Sequence, residues 1–152
     1  MNFHTAIVNV EDEKISSEKA RKFIISDKNG AEAIFVGRVR NENTGKKVKA
    51  VTYDAHDQAV IKSFQSICAD AKNKFDKNAK IFLEHAKGFV PVGEISILIA
   101  VSSGHRDEAF KICRYILEEV KHQSPIWKKE HYVDGKEEWL PGHSLRPKKE
   151  VK

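Results

Sequence analysis

Apolar residues fall at helical spacing in three stretches of this chain and at strand spacing through most of the rest. The clearest stripe, Val60, Ile61, Phe64, Ile67, Cys68, Ala71 and Phe75, predicts a helix over residues 57–75. A second, Ala109, Phe110, Ile112, Cys113, Ile116, Leu117 and Val120, predicts a helix over 104–121 that Ser124-Pro125 ends. A shorter stripe of Ala20, Phe23 and Ile24 follows a capping serine at Ser16 or Ser17 and stops before Asn29-Gly30.

Strand patterns fill the intervals. Residues 4–10, with Ile7, Val8 and Val10, predict a first strand, and 31–40, with Ile34, Phe35, Val36 and Val39, a second. Gly37 inside the second signals a bulge or a close approach of another chain segment. The polar run 41–45 is a loop, and 47–55 returns as its hairpin partner. A fourth strand over 80–86 ends at a turn around Lys87-Gly88. In 94–102, Ile95, Ile97, Ile99 and Val101 alternate with Ser96, Leu98, Ala100 and Ser102; a second face this small and partly apolar predicts a central strand. Asp134-Gly135, between 131–133 and 136–140, signals a last hairpin. The order β-α-β-β-α-β-β-α-β-β implies one α+β domain with a largely antiparallel mixed sheet and three main helices. It is expected to span 1–145, followed by a frayed basic tail over 146–152.

Composition narrows the chemistry. A net charge of +5 points to an anionic partner: nucleic acid, a phosphorylated small molecule or an acidic protein. No apolar run nears the roughly 18 residues of a membrane span, and the N-terminus lacks a signal-peptide pattern, so a cytoplasmic protein is expected. Cys68 and Cys113 both lie in helix stripes, where a core role is expected. His4, His56, His122, His131 and His143 lack ligand-type spacing, so no metal site is expected. Gly-rich phosphate loops, nucleophile elbows and Cys-x-x-Cys pairs do not occur.

Cations mark the candidate sites. Gly104-His105-Arg106 opens the third helix, where free N–H groups and the helix dipole favour an anion; the plainer reading is a capped helix with two solvated side chains. Lys121 falls on the rim of the same helix's apolar face, where it either snorkels or enters a cleft that lowers its pKa. Lys128 and Lys129 follow Pro125 and Trp127 and face opposite sides of an extended segment, so only one can enter such a cleft. Arg38 and Arg40 share a face of the second strand and need an anion or a carboxylate, for which Glu42 is a structural alternative.

Several segments, in order, resemble the large, catalytic subunit of molybdopterin synthase. They are Phe35-Val36-Gly37-Arg38-Val39-Arg40-Asn41, Gly45, Val51-Thr52-Tyr53-Asp54, Gly88, Val92-Gly93-Glu94 and Ser102-Ser103-Gly104-His105-Arg106. Ala109-Phe110, Lys121, Pro125-Ile126-Trp127-Lys128-Lys129-Glu130, Asp134-Gly135 and Trp139 complete the set, which covers about residues 30 to 140. The resemblance implies an α/β-hammerhead-type fold and a sulfurtransferase. It converts cyclic pyranopterin monophosphate (precursor Z) to molybdopterin, in molybdenum cofactor biosynthesis, with no cofactor of its own. The sulfur would come from the thiocarboxylated C-terminal Gly-Gly of a small ubiquitin-like subunit docked on each end of a homodimer, making a heterotetramer.

Carried over, the substrate contacts are Arg38, Val39, Arg40, His105, Arg106, Lys121, Lys128, Lys129 and Glu130. Arg40, His105 and Arg106 would hold phosphate and pterin, and Lys121 and Lys128 would form the catalytic pair. The sequence departs from the family in three places. The arginine usual after His85 is absent from His85-Ala86-Lys87-Gly88, His56 stands where an aromatic is usual, and 141–146 does not match. Two other classes stay open on the residues alone. A basic RNA-binding module would show tight, salt-sensitive RNA binding, and a scaffold would bind the ubiquitin-like partner without turnover.

Overall fold

The computed structural model describes residues 2–141, and the expected basic tail over 146–152 lies outside them. The elements run β1 (Phe3–Asn9), α1 (Ser17–Ile24), β2 (Ala31–Arg38), β3 (Glu42–Asn43), β4 (Lys46–Ala55) and α2 (Asp57–Lys74). Then follow β5 (Lys80–Pro91), β6 (Ile95–Ser103), α3 (Arg106–Gln123), β7 (Ile126–Tyr132) and β8 (Glu137–Trp139). They form an eight-stranded sheet in the order β2-β6-β5-β4-β7-β8, with β1 on β5 and β3 on β4. Every pairing is antiparallel except β1 with β5, which makes the sheet the mixed, largely antiparallel one expected.

Helices cover both faces of the β2-β6-β5 half. Ser102 donates from Oγ to the Ile24 carbonyl at the end of α1, while its neighbour Ser103 donates to Asp76 just after α2. Adjacent strand residues point to opposite faces, so α1 and α2 lie on opposite sides of β6. α3 lies beside α2 and packs on β2 and β6 through buried Ala109, Ile112, Cys113, Ile116 and Val120. Each fully buried isoleucine there is worth about 1.5–3 kcal/mol, which fixes α3 and hence where Lys121 emerges. Among the described residues no helix is long and apolar enough to cross a membrane.

Two strand boundaries differ from expectation, and both bear on the site. β5 does not stop at Ala86; it runs through Lys87-Gly88 to Pro91, with Gly88 at a φ of 107°. Its first part pairs with β6 and β1, and its last four residues, from Gly88 to Pro91, pair with β4. The glycine read as a turn is a bend within one strand that hands the sheet over from one half to the other. β2 stops at Arg38 because its register against β6 shifts between Gly37 and Arg38. A Cβ on Gly37 would lie 2.6 Å from Ile97 Cγ2, so this glycine serves both as a bulge and as a close approach. Val39 continues past the bulge, its N–H donating to the Glu94 carbonyl and its own carbonyl accepting from the Gly93 N–H.

Candidate functional site

A cavity of about 870 Å³ opens where the end of β2, the β3 hairpin, α3 and β7 meet. Arg38, Arg40, Lys121 and Lys128 all line it. Four cations from three separate parts of the chain thus converge on one space, an arrangement that costs repulsion unless an anion enters.

Each side chain is placed by an identifiable device. Arg38 follows the Gly37 bulge, and its Nη1 donates to the Gly93 carbonyl at 2.6 Å. Lys121 sits in the last turn of α3, where the helix dipole favours a cation. Lys128 lies on β7 opposite Tyr53 of β4, and its carbonyl accepts from the Leu140 N–H at 2.9 Å. That bond folds the chain after β8 back, so Leu140 and Pro141 join the cavity wall. Asn43 and Thr44, the latter at a positive φ of 47°, form its rim.

Burial disfavours the Lys128 ammonium most; Glu130 opposes that, and Lys121 and Arg40 add repulsion, so its pKa is lowered. Tyr53, buried in the wall, has its phenol pushed up by burial, against a side-chain hydrogen bond with Ser96, with the Glu130 charge raising it further. It therefore stays a neutral donor. Glu130 is 4% exposed and faces a smaller recess shared with Arg38, Val39 and Arg40. Its Oε2 accepts from Asn43 Nδ2 at 2.8 Å and its Oε1 from the Tyr132 hydroxyl at 2.9 Å. Glu130 thus ties the β3 hairpin to the sheet.

Not every expected site residue enters the cavity. Lys129 points to the other side of β7, 3.1 Å from Glu137 and over the Trp139 ring, as strand alternation requires. Lys87 pairs with Asp57 at 2.9 Å and is not among the residues that line the cavity. His105 and Arg106 lie at the opposite end of α3 from Lys121, about 22 Å away along the helix. The anion at that corner belongs to the chain itself: Asp76 accepts from the Ser103 hydroxyl and from the Gly104 N–H. Burial would raise the Asp76 pKa, but bonds from Ser103, Asn78 and Gly104 outweigh it and hold the carboxyl below its usual range. Another cavity, of about 590 Å³, lies beside Lys46, Tyr132 and Glu138, where Lys46 is already paired with Glu138.

A family model described as "MoaE protein" matches residues 10–123, three-quarters of the chain. The chain belongs to the MoaE family. Its match contains Arg38, Arg40, His105, Arg106 and Lys121, and Lys128 follows just beyond it. A MoaE-family relative from Synechococcus elongatus, named molybdopterin synthase catalytic subunit, is 42% identical over 83% of this chain and 76% of its own. The crystal structure of molybdopterin synthase from Staphylococcus aureus superposes with a TM-score of 0.81 at 32% identity, covering 93% of this chain and 98% of that one. A chain of the complex of subunits 1 and 2 of the molybdopterin-converting factor from Helicobacter pylori shares the MoaE-family fold, with a TM-score of 0.72 at 19% identity. It is covered to 95% and covers 97% of this chain.

Tyr53, Asn43, Thr44, Leu140 and Pro141 acquire places in the site that the sequence reading did not assign them. Only Tyr53 left a signal, in the alternation of Val51, Tyr53 and Ala55 as the inward face of β4.

Proposed function

We infer that this chain is the catalytic subunit of a molybdopterin synthase, a cytoplasmic sulfurtransferase that converts precursor Z to molybdopterin. The observation that carries the reading is the convergence of Arg38, Arg40, Lys121 and Lys128 on one cavity. Its partner is a small ubiquitin-like subunit whose C-terminal Gly-Gly thiocarboxylate enters that cavity. The Helicobacter pylori complex, named for two subunits, supports a two-chain assembly. Both guests are anionic, which suits four cations that share one buried carboxylate, Glu130, already engaged by Asn43 and Tyr132.

Arg38 and Arg40 take the phosphate through charge-assisted bonds that orient the pterin. Each transfer forms a C–S bond on the pterin side chain in place of a C–O bond, whose oxygen leaves as water or stays with the phosphate, and hydrolysis then breaks the carrier's C–S bond. Water supplies the new oxygen of the released carboxylate. One lysine of the Lys121–Lys128 pair moves the proton, and the other stabilises the developing negative charge. The lowered Lys128 pKa favours it as the proton carrier, because it can be neutral nearer physiological pH.

His105 and Arg106 enter this reading through a second copy. β2 is the end strand of the sheet, and Ile34 on it is 38% exposed. An open edge of this kind pairs readily with another. The start of β2 lies beside Ser103 and the head of α3, and its end lies at the cavity. Antiparallel pairing of two β2 edges would carry the head of one copy's α3 towards the other's cavity. The homodimer, with a small subunit at each end, makes the heterotetramer.

The test supplies thiocarboxylated carrier and precursor Z to the Lys121→Ala protein. Turnover should fall by about 100-fold or more, the usual scale for losing a proton-transfer or charge-stabilising group. An unchanged rate would remove Lys121 from the chemistry.

A further inference from the structure

One buried side-chain nitrogen among the described residues has no hydrogen-bond partner, Nε2 of His85, whose ring packs against Tyr53 of the cavity lining. The ring is fully buried on β5, between Ile7 of β1 and Ile97 of β6. Its Nδ1 is 2.7 Å from the Ala86 carbonyl. A carbonyl can only accept, so Nδ1 carries the hydrogen and Nε2 of the neutral ring presents a bare lone pair. Burial keeps the ring neutral, pushing its pKa down to about 4; the Ala86 carbonyl opposes this and the Lys128 charge adds to it. An orphaned acceptor inside a protein is costly and calls for a user.

The surroundings leave one candidate donor. The ring of Tyr53 meets His85 edge to face, with centroids 4.9 Å apart, but its side chain is bonded to Ser96. Lys87, two residues along β5, is paired with Asp57 of α2. Glu130 accepts from Asn43 and Tyr132 and has no proton to give. Lys128 lies across from Tyr53 on β7, and its charge acts on His85. A charge that opposes a proton on the ring attracts the lone pair of the neutral ring.

We propose that His85 is a positioning residue for Lys128: a rotation of the Lys128 side chain brings its ammonium to the free Nε2 lone pair, which accepts a hydrogen bond from it. The acceptor draws Nζ towards the Tyr53 wall and partly offsets the repulsion of Lys121 and Arg40, so Lys128 holds its proton in one orientation. The proposal rests on the catalytic reading of Lys128 only for its bearing on turnover.

NMR titration of the Lys128 side chain in the full-length protein tests the bond directly. His85→Phe, which keeps a ring and removes the acceptor, should lower the Lys128 midpoint by about one pH unit, and His85→Gln should restore most of it. The pH profile of kcat should shift the same way in His85→Phe. A fold-independent arm uses the unaltered His85: its Nε2 resonance should follow the Lys128 titration in the wild type and sit at the free lone-pair value in Lys128→Met. An unmoved midpoint in folded His85→Phe, or an identical Nε2 resonance in wild type and Lys128→Met, overturns the proposal whatever the turnover. Full turnover by Lys128→Met would instead sink the catalytic reading and leave the hydrogen bond standing.

Discussion

At the scale of single residues, the site is a place where charge is held at a cost. Lys128 is half-buried near Lys121 and Arg40, and its pKa in the folded chain lies below the 10.5 of a free lysine. For a base whose folded pKa is depressed, the penalty is fully present below the folded pKa. It fades as pH rises from there towards the unfolded value. Lys128→Met, of similar length and uncharged, should therefore raise stability at pH 7 by about 1 kcal/mol while removing turnover. The gain, read by denaturant melts, should shrink as pH approaches 10.5. A variant less stable than wild type at pH 7 would show that the Lys128 stem contributes more by packing than its charge costs. Much of this residue-level chemistry was visible in the sequence. Four cations of the resemblance meet in the cavity, and alternation along β7 separated Lys128 from Lys129 beforehand. Glu130 was less visible, because a carboxylate that ties Asn43 to the sheet looks the same in sequence as one that meets substrate.

At the scale of elements, α3 has its head and tail organised by different means. Its tail carries Lys121 in a turn that favours cations. The His105 side chain makes no capping bond at its head, and Asp76, just after α2, anchors the strand end that leads into it by accepting from the Ser103 hydroxyl and Gly104 N–H. Asp76→Asn should cost about 1 kcal/mol at pH 7, the usual net value of a hydrogen bond weakened in a folded chain. Because the folded carboxyl titrates below the ordinary aspartate value of 3.8, its contribution is present above that value. It is lost as pH falls through the folded pKa. Thermal melts of wild type and Asp76→Asn should thus differ at pH 7 and draw together as pH falls below 3.8. Periodicity sufficed to read α3, because its stripe is local. It could not reveal Asp76, whose partners lie 27 and 28 residues away. It likewise mistook Lys87-Gly88 for a turn, since a glycine at positive φ looks the same in sequence whether the chain reverses there or merely bends.

At the scale of the whole molecule, the proposed homodimer would join an edge strand, β2, to a cation set divided between the two ends of α3. If a second copy supplies His105 and Arg106, then Lys121→Ala and Arg106→Ala chains, each inactive alone, should complement when mixed and allowed to exchange. Random pairing leaves roughly a quarter of the sites intact, so activity should recover to about that fraction of wild type. Recovery should vanish in an Ile34→Lys background, where a charge on the β2 edge blocks pairing. No recovery, with exchange confirmed by mass spectrometry, would place each complete site within one chain. The bent β5 has a consequence of another kind. It is hydrogen-bonded to β1, β4 and β6, and among the described strands it is the one that joins the β2-β6 side of the sheet to the β4-β7-β8 side. Neither side can detach without breaking β5, so the two sides should open as one cooperative unit. In native-state hydrogen exchange, the amides of Ile81, Leu83 and Val90, though on opposite sides of the Gly88 bend, should report one common opening free energy, equal to that of global unfolding.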